Sequence, residues 1–186
     1  MIAWIPNALT VLRFLLVPVF LYFLLYSQHE SRVLIALIIF VVASLTDYLD
    51  GMLARKFNVV SNFGKIMDPL ADKLIVLSAL AGLCWLSPFQ ISKIVFFIIL
   101  ARELIITILR EIYQRKGFVV AADKLGKLKT VMQMVGIIAA FSIWVFVPLI
   151  SDPLMLLTKI WFWLVALITV VSGFNYLKIF SPKKGL

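Results

Sequence analysis

Four aspartates fall within 26 consecutive residues of a chain otherwise rich in hydrocarbon side chains. The window opens with Asp47-Tyr-Leu-Asp50-Gly51-Met-Leu-Ala54-Arg55 and, after eight further residues, closes with Gly64-Lys-Ile-Met-Asp68-Pro-Leu-Ala-Asp72. A carboxylate close to hydrocarbon costs roughly 2.5–3.5 kcal/mol on insertion scales, so this window needs an offsetting charge. Asp47 and Asp50 are three residues apart, and Asp68 and Asp72 four. Each pair therefore shares a helix face, with β-carbons roughly 5–6 Å apart. If a short connection joins the two helix ends, the four carboxylates converge. An all-oxygen donor set without neighbouring His or Cys suits a hard cation, Mg2+ or Mn2+, and two such ions balance four negative charges. Gly51 leaves space for a ligand to meet the backbone. Arg55, four residues further on the same face, is placed to reach a phosphate oxygen. An isolated aspartate before proline reads as a helix cap, and an isolated intramembrane carboxylate as a helix contact. The full pattern is too specific for either.

The elements that must position these groups are membrane helices. The chain has 186 residues, 63% of them hydrophobic, and a mean hydropathy of +1.09. Such a composition lies far outside that of a soluble domain. Its apolar runs are continuous rather than alternating, which selects helices over a barrel. At about 20 residues per crossing, the expectation is an all-α integral membrane protein with six transmembrane helices in a single domain, residues 1–186. The spans read as Leu9–Tyr26, Val33–Arg55, Pro69–Leu86, Ile91–Gln114, Lys124–Val147 and Leu154–Phe180. An interfacial lead-in at Trp4–Asn7 precedes them, and a polar segment runs from Lys56 to Lys65. Asp68-Pro69 reads as a cap and first position of the third helix. Ser87-Pro88 and Ser151-Asp152-Pro153 read as turns.

Charge sets the orientation. Arg55, Lys56, Lys65, Lys73, Arg110, Arg115, Lys116, Lys124, Lys127, Lys129, Lys178, Lys183 and Lys184 fall on one side, against Arg32, Lys93 and Lys159 on the other. The positive-inside rule then puts both termini and the aspartates on the cytoplasmic face of the inner membrane. The lack of a basic leader, with Asn7, Thr10 and Arg13 interrupting the first apolar run, argues against a cleaved signal peptide. Cys84, the only cysteine, rules out an intrachain disulfide and reads as a small buried hydrophobe. The net charge of +9 fits anionic membrane and anionic substrate. Basic residues split among loops, with few interleaved aromatics, argue against nucleic acid. A cation transporter is also disfavoured, because these carboxylates map to one interface and no internal repeat is visible.

A second polar group lies further along. Arg102 and Arg110 are eight apart, so both can face one cavity, and Arg102 within a span requires a counter-ion or a bound anion. Adjacent Glu103 is a candidate counter-ion, although sequence neighbours point apart on a helix. Gly126-Lys127-Leu-Lys129-Thr130 opens the fifth helix, where backbone N–H groups favour anions. Taken alone, these lysines read as membrane anchors.

The aspartate pattern resembles the signature of the CDP-alcohol phosphatidyltransferase family, and every fixed position is met. The resemblance implies that family's six-span fold, usually homodimeric, with two metal ions (Mg2+ or Mn2+) at the cytoplasmic interface. It implies Asp47, Asp50, Asp68 and Asp72 as metal ligands, with Asp72 also the general base. It further implies that Gly51 and Arg55 lie against the CDP moiety, together with Asp47 and Gly64. The Ala101-Arg102-Glu103, Leu109-Arg110-Glu111 and Gly126-Lys127-Leu-Lys129-Thr130 segments resemble the phosphatidylglycerophosphate synthase branch. So does Ile5-Pro6-Asn7-x2-Thr10-x2-Arg13, which in that branch walls the nucleotide site and adds Asn7 and Thr10 to the CDP-lipid contacts. The implied donor is CDP-diacylglycerol and the implied acceptor sn-glycerol 3-phosphate. Arg102, Arg110, Lys127 and Lys129 are then the expected ligands of the acceptor phosphate. Serine, an inositol phosphate and phosphatidylglycerol are the alternative acceptors within the family. Ser78-x3-Gly82 offers a small-residue face, either for a homodimer or for packing within one subunit.

Overall fold

The computed structural model describes the backbone at residues 4–57, 62–115 and 124–180, and side chains at 8–46, 70–71, 73–113 and 125–176. Among these residues the protein is all-helical. The elements are α1 (Trp4–Leu25), α2 (Arg32–Phe57), α3 (Asn62–Trp85), α4 (Lys93–Arg115), α5 (Lys124–Phe146) and α6 (Asp152–Phe180). Among the described residues, three stretches are long and apolar enough to cross a bilayer: Ala8–Leu25, Leu125–Phe146 and Asp152–Tyr176. Shorter apolar helical stretches occupy Arg32–Thr46 and Lys73–Trp85. Helix α4 carries charges in mid-length, yet Ile94, Phe97, Leu104, Ile105, Ile108 and Ile112 form an exposed apolar stripe at helical spacing. Apolar groups thus face outward as well as into the core, while Arg102 and Arg110 are turned inward.

Two helix starts differ from expectation. Trp4–Asn7 is the first turn of α1 rather than a separate lead-in. Asp68 is not a cap: α3 begins at Asn62 and runs continuously through Pro69. A proline inside a helix removes one backbone hydrogen bond, and membrane helices tolerate this where neighbouring groups re-satisfy the backbone. Pro18 sits inside α1 in the same way.

The chain forms two compact units, one of residues 1–82 and 138–149, the other of residues 83–137 and 150–186. In the first, α1 packs along α2. Thr10, Arg13, Val17, Phe20 and Leu24 are all buried on α1, in the 3-4-3-4 spacing of a helix–helix seam. Buried Ala36, Phe40 and Ala43 line α2, and the small residues permit close approach of the two backbones. Phe20 meets Phe141 edge to face, with centroids 6.1 Å apart. A methyl group on Gly82 would come within 2.5 Å of Leu24 Cδ2, so this glycine seats a side chain of α1 within the same subunit. The turn between α1 and α2 uses His29, the only histidine. Its backbone N–H donates to Ser27 Oγ at 3.2 Å, and its Nδ1 accepts from Ser31 N–H at 3.1 Å. Ser31 O then accepts from Ile35 N–H at 2.9 Å and starts α2.

In the second unit, α4 packs on α6. The core includes Val95, Ile99 and Ile106 of α4 and Phe162, Val165 and Ala166 of α6. Trp161 Nε1 donates to Met132 O at 3.1 Å and ties α6 to α5. Ser87 Oγ donates to Leu83 O at 2.6 Å in the turn after α3. Buried Cys84 makes a weak Sγ contact, 3.9 Å from Ser92 O, as expected of a structural thiol. At the start of α6, Ser151 O accepts from Met155 N–H at 3.0 Å, with Asp152 in the first turn. A carboxylate there complements the helix dipole.

Candidate functional site

The polar residues of α4, α5 and α6 meet inside the second unit. Arg102 and Arg110 lie eight residues apart on α4, a rise of roughly 12 Å at 1.5 Å per residue. Their side chains nevertheless converge on one residue of α6, Tyr176, which is only 2% exposed. Arg110 Nη2 donates to Tyr176 Oη at 3.0 Å. The guanidinium carbons of Arg102 and Arg110 stand 5.6 and 5.8 Å from the Tyr176 ring centroid, within cation–π range. Arg102 Nη2 also donates to Ser172 Oγ at 2.8 Å, and Ser172 is fully buried.

A glycine on α6 eases this approach. A methyl on Gly173 would sit 3.3 Å from Arg102 Cγ, so the arginine stem crosses α6 where no side chain obstructs it. A methyl on Gly126 of α5 would lie 3.6 Å from Tyr176 Cε2, 3.7 Å from Ser172 Oγ and 3.9 Å from Arg102 Nη2. That is ordinary contact distance, so α5 presents bare backbone to the cluster.

Glu103 supplies the carboxylate. It forms an ion pair with Lys129 of α5, and its Oε1 lies 3.5 Å from Arg102 Nη1. The expected objection to Glu103 as partner of its neighbour holds in part: the tighter partner comes from another helix. Among the described side chains here, three cations (Arg102, Arg110 and Lys129) face one carboxylate. Arg110 Nε is buried without a hydrogen-bond partner among the described residues. A buried donor left without an acceptor is costly. An excess of buried positive charge with fork-shaped donors can hold an oxyanion, and phosphate matches guanidinium geometry.

The four cations expected to bind an acceptor phosphate therefore separate. Arg102, Arg110 and Lys129 are brought together, whereas Lys127 is exposed. Two residues on a helix point about 200° apart, so only one of these lysines can face inward. Ser172 and Tyr176 were not legible as site residues. The available signal was weak: Thr169, Ser172 and Tyr176 recur at helical spacing in an otherwise apolar α6 and are all buried.

Of the expected nucleotide-side residues, Thr10 is buried on α1, one turn before fully buried Arg13. Asn7 lies in α1, Asp47, Asp50, Gly51 and Arg55 in α2, and Gly64, Asp68 and Asp72 in α3. The side chains of these eight residues lie outside the described set. The backbone puts Asp50 seven residues before the end of α2 and Asp68 six residues after the start of α3, each roughly 10 Å in from its helix end. Both helix–face spacings, three and four, thus fall within continuous helix. The four expected metal ligands are all carboxylates, a chemistry that would suit a hard dication. Among the described residues, no three His, Cys, Asp or Glu side chains come together.

Comparison with known proteins adds the following. The sequence profile describing the CDP-alcohol phosphatidyltransferase family matches residues 3–172. A Bacillus subtilis protein named CDP-diacylglycerol–glycerol-3-phosphate 3-phosphatidyltransferase is 37% identical over 184 residues, covering 92% of this chain and 92% of its own. A Rickettsia typhi protein of the same name is 36% identical over 176 residues, 94% of this chain and 95% of its own. A probable phosphatidylglycerophosphate synthase of Mycobacterium tuberculosis is 40% identical over 177 residues, 94% of this chain and 80% of its own.

Proposed function

The chain belongs to the CDP-alcohol phosphatidyltransferase family, and we propose that it transfers the phosphatidyl group of CDP-diacylglycerol to sn-glycerol 3-phosphate. The products are CMP and phosphatidylglycerophosphate, which stays in the membrane. One observation carries this reading. Relatives named for that reaction match across more than nine-tenths of this chain, so the likeness includes the acceptor segments as well as the aspartate signature. The excess positive charge around Tyr176 supports it physically, because the acceptor is an anion.

In this reading the chain is one catalytic domain whose six helices cross the inner membrane, α4 included by virtue of its apolar outer stripe. The basic residues then hold both termini and the aspartates on the cytoplasmic side. Asp47, Asp50, Asp68 and Asp72 hold two divalent ions, Mg2+ or Mn2+. Such ions, when bound, supply charge neutralisation at the pyrophosphate and the leaving CMP. Asn7, Thr10, Gly51, Arg55 and Gly64 contact the CDP-lipid. Arg102 and Arg110 hold the acceptor phosphate, with Lys129 and Lys127 adding positive potential. Asp72 takes the proton from the 1-hydroxyl of glycerol 3-phosphate. That oxygen attacks the β-phosphorus of the donor, and the bond to CMP breaks. The working unit is a homodimer. Its interface lies elsewhere than Gly82, which is filled by Leu24 of its own chain.

The test is direct. Purified protein in detergent, supplied with Mn2+ and CDP-diacylglycerol, is given each alcohol in turn, and CMP is measured. Release that depends on glycerol 3-phosphate is expected. Release only with serine, an inositol phosphate or phosphatidylglycerol would overturn the assignment.

A further inference from the structure

We infer that Tyr176, assisted by Ser172, is a positioning residue that gathers Arg102 and Arg110 into one clamp for the acceptor's phosphate. The inference rests on the acceptor proposed above and adds residues that the sequence motifs do not contain.

The argument begins with reach. Two arginines eight residues apart on one helix start roughly 12 Å apart along its axis. A phosphate group is only a few ångströms across, so their heads must be drawn together to grip the same one. In this structure a single phenol does that. Tyr176 accepts a hydrogen bond from Arg110 Nη2 at 3.0 Å, and both guanidinium carbons lie within 6 Å of its ring centroid. Ser172, one helical turn earlier on α6, accepts from Arg102 Nη2 at 2.8 Å. Each arginine is thus held by one hydroxyl of α6 and by the face or edge of the same ring.

Burial gives these contacts their weight. Tyr176 and Ser172 are 2% and 0% exposed, and hydrogen bonds to charged groups are stronger than neutral ones, more so away from water. Oxygen acceptors and an aromatic quadrupole hold a guanidinium without cancelling its charge. A carboxylate in the same place would neutralise the clamp and compete with phosphate. Among the described side chains the cluster holds one carboxylate, Glu103, and it is paired with Lys129, so three cations there face a single negative charge. Buried Arg110 Nε, with no hydrogen-bond partner among the described residues, is a donor to which the phosphate can add an acceptor.

Steady-state kinetics on the full-length protein in detergent tests this. Tyr176→Phe keeps the ring and removes the hydroxyl. The expected result is a rise of roughly three- to tenfold in KM for glycerol 3-phosphate, with KM for CDP-diacylglycerol and kcat within twofold of wild type. Ser172→Ala is expected to act in the same direction, and Tyr176→Leu, which removes the ring as well, more strongly than Tyr176→Phe. A structural role alone would lower the active fraction and leave both KM values unchanged. Equal KM values in Tyr176→Phe, Ser172→Ala and wild type would overturn the inference and leave the proposed reaction standing. A wild-type protein that releases no CMP with glycerol 3-phosphate would overturn both, and that outcome is visible before any variant is made.

Discussion

Glu103 of α4 is ion-paired with Lys129 of α5, and their side chains are 13% and 6% exposed. Removing one member of a buried pair costs up to about 3–5 kcal/mol when the other charge is left uncompensated; here Arg102, 3.5 Å from Glu103, offsets part of the loss when Lys129 is removed. Replacing both by neutral groups costs much less. Glu103→Gln and Lys129→Met are each expected to lower the melting temperature in detergent clearly, and the double variant to recover a good part of the loss. Strictly additive losses would show that the two side chains do not interact. Lys127→Met is expected to leave stability within about 0.5 kcal/mol, as exposed substitutions usually do.

Asp72→Asn removes the proposed base while keeping the side chain's size. Turnover is expected to fall to background while CDP-diacylglycerol binding, measured by isothermal titration in detergent, survives. Full activity in this variant would eliminate Asp72 as the proton acceptor. Chelation of divalent ions is expected to abolish CMP release, and added Mg2+ or Mn2+ to restore it.

Gly136 lies against Trp161, whose indole N–H is fixed by Met132 O at 3.1 Å. A methyl at position 136 would overlap the indole and stand 3.3 Å from Phe162 Cζ. Gly136→Ala is expected to cost about 1–3 kcal/mol through overpacking, read as a lower melting temperature with KM values unchanged. An undiminished melting temperature would mean that Trp161 does not pack there.

Orientation is testable by labelling. In a Cys84→Ala background, a cysteine replacing exposed Glu30 between α1 and α2 is expected to react with an impermeant maleimide added to intact cells. A cysteine at Pro182 is expected to react only after the cells are opened. The reverse pattern would invert the proposed topology.

Helix existence was legible because it depends on local composition: long apolar runs can satisfy their backbone in lipid only as helices. Helix starts were less so. The Asp68-Pro69 pair carried a strong capping signal, yet α3 begins at Asn62. A capping signal marks where a helix can start, but it does not stop a helix that has already begun upstream, and membrane helices tolerate an interior proline where neighbouring groups re-satisfy the backbone. The fate of Gly82 was also undetermined, since a small-residue face accepts any close neighbour. The fold assigned it Leu24.

By itself, the sequence determined the membrane-helical class, the aspartate pattern with its all-oxygen donor chemistry, and the cations available for an anionic acceptor. These follow from residue type and short-range periodicity. The tertiary structure alone decided that Lys129 turns inward beside Glu103 while Lys127 stays outside, and that Ser172 and Tyr176 hold the two arginines. Those contacts join residues 70 and 66 positions apart. No helical period encodes such a meeting; it is set by how α4, α5 and α6 pack, where Gly173 lets the Arg102 stem lie close against α6.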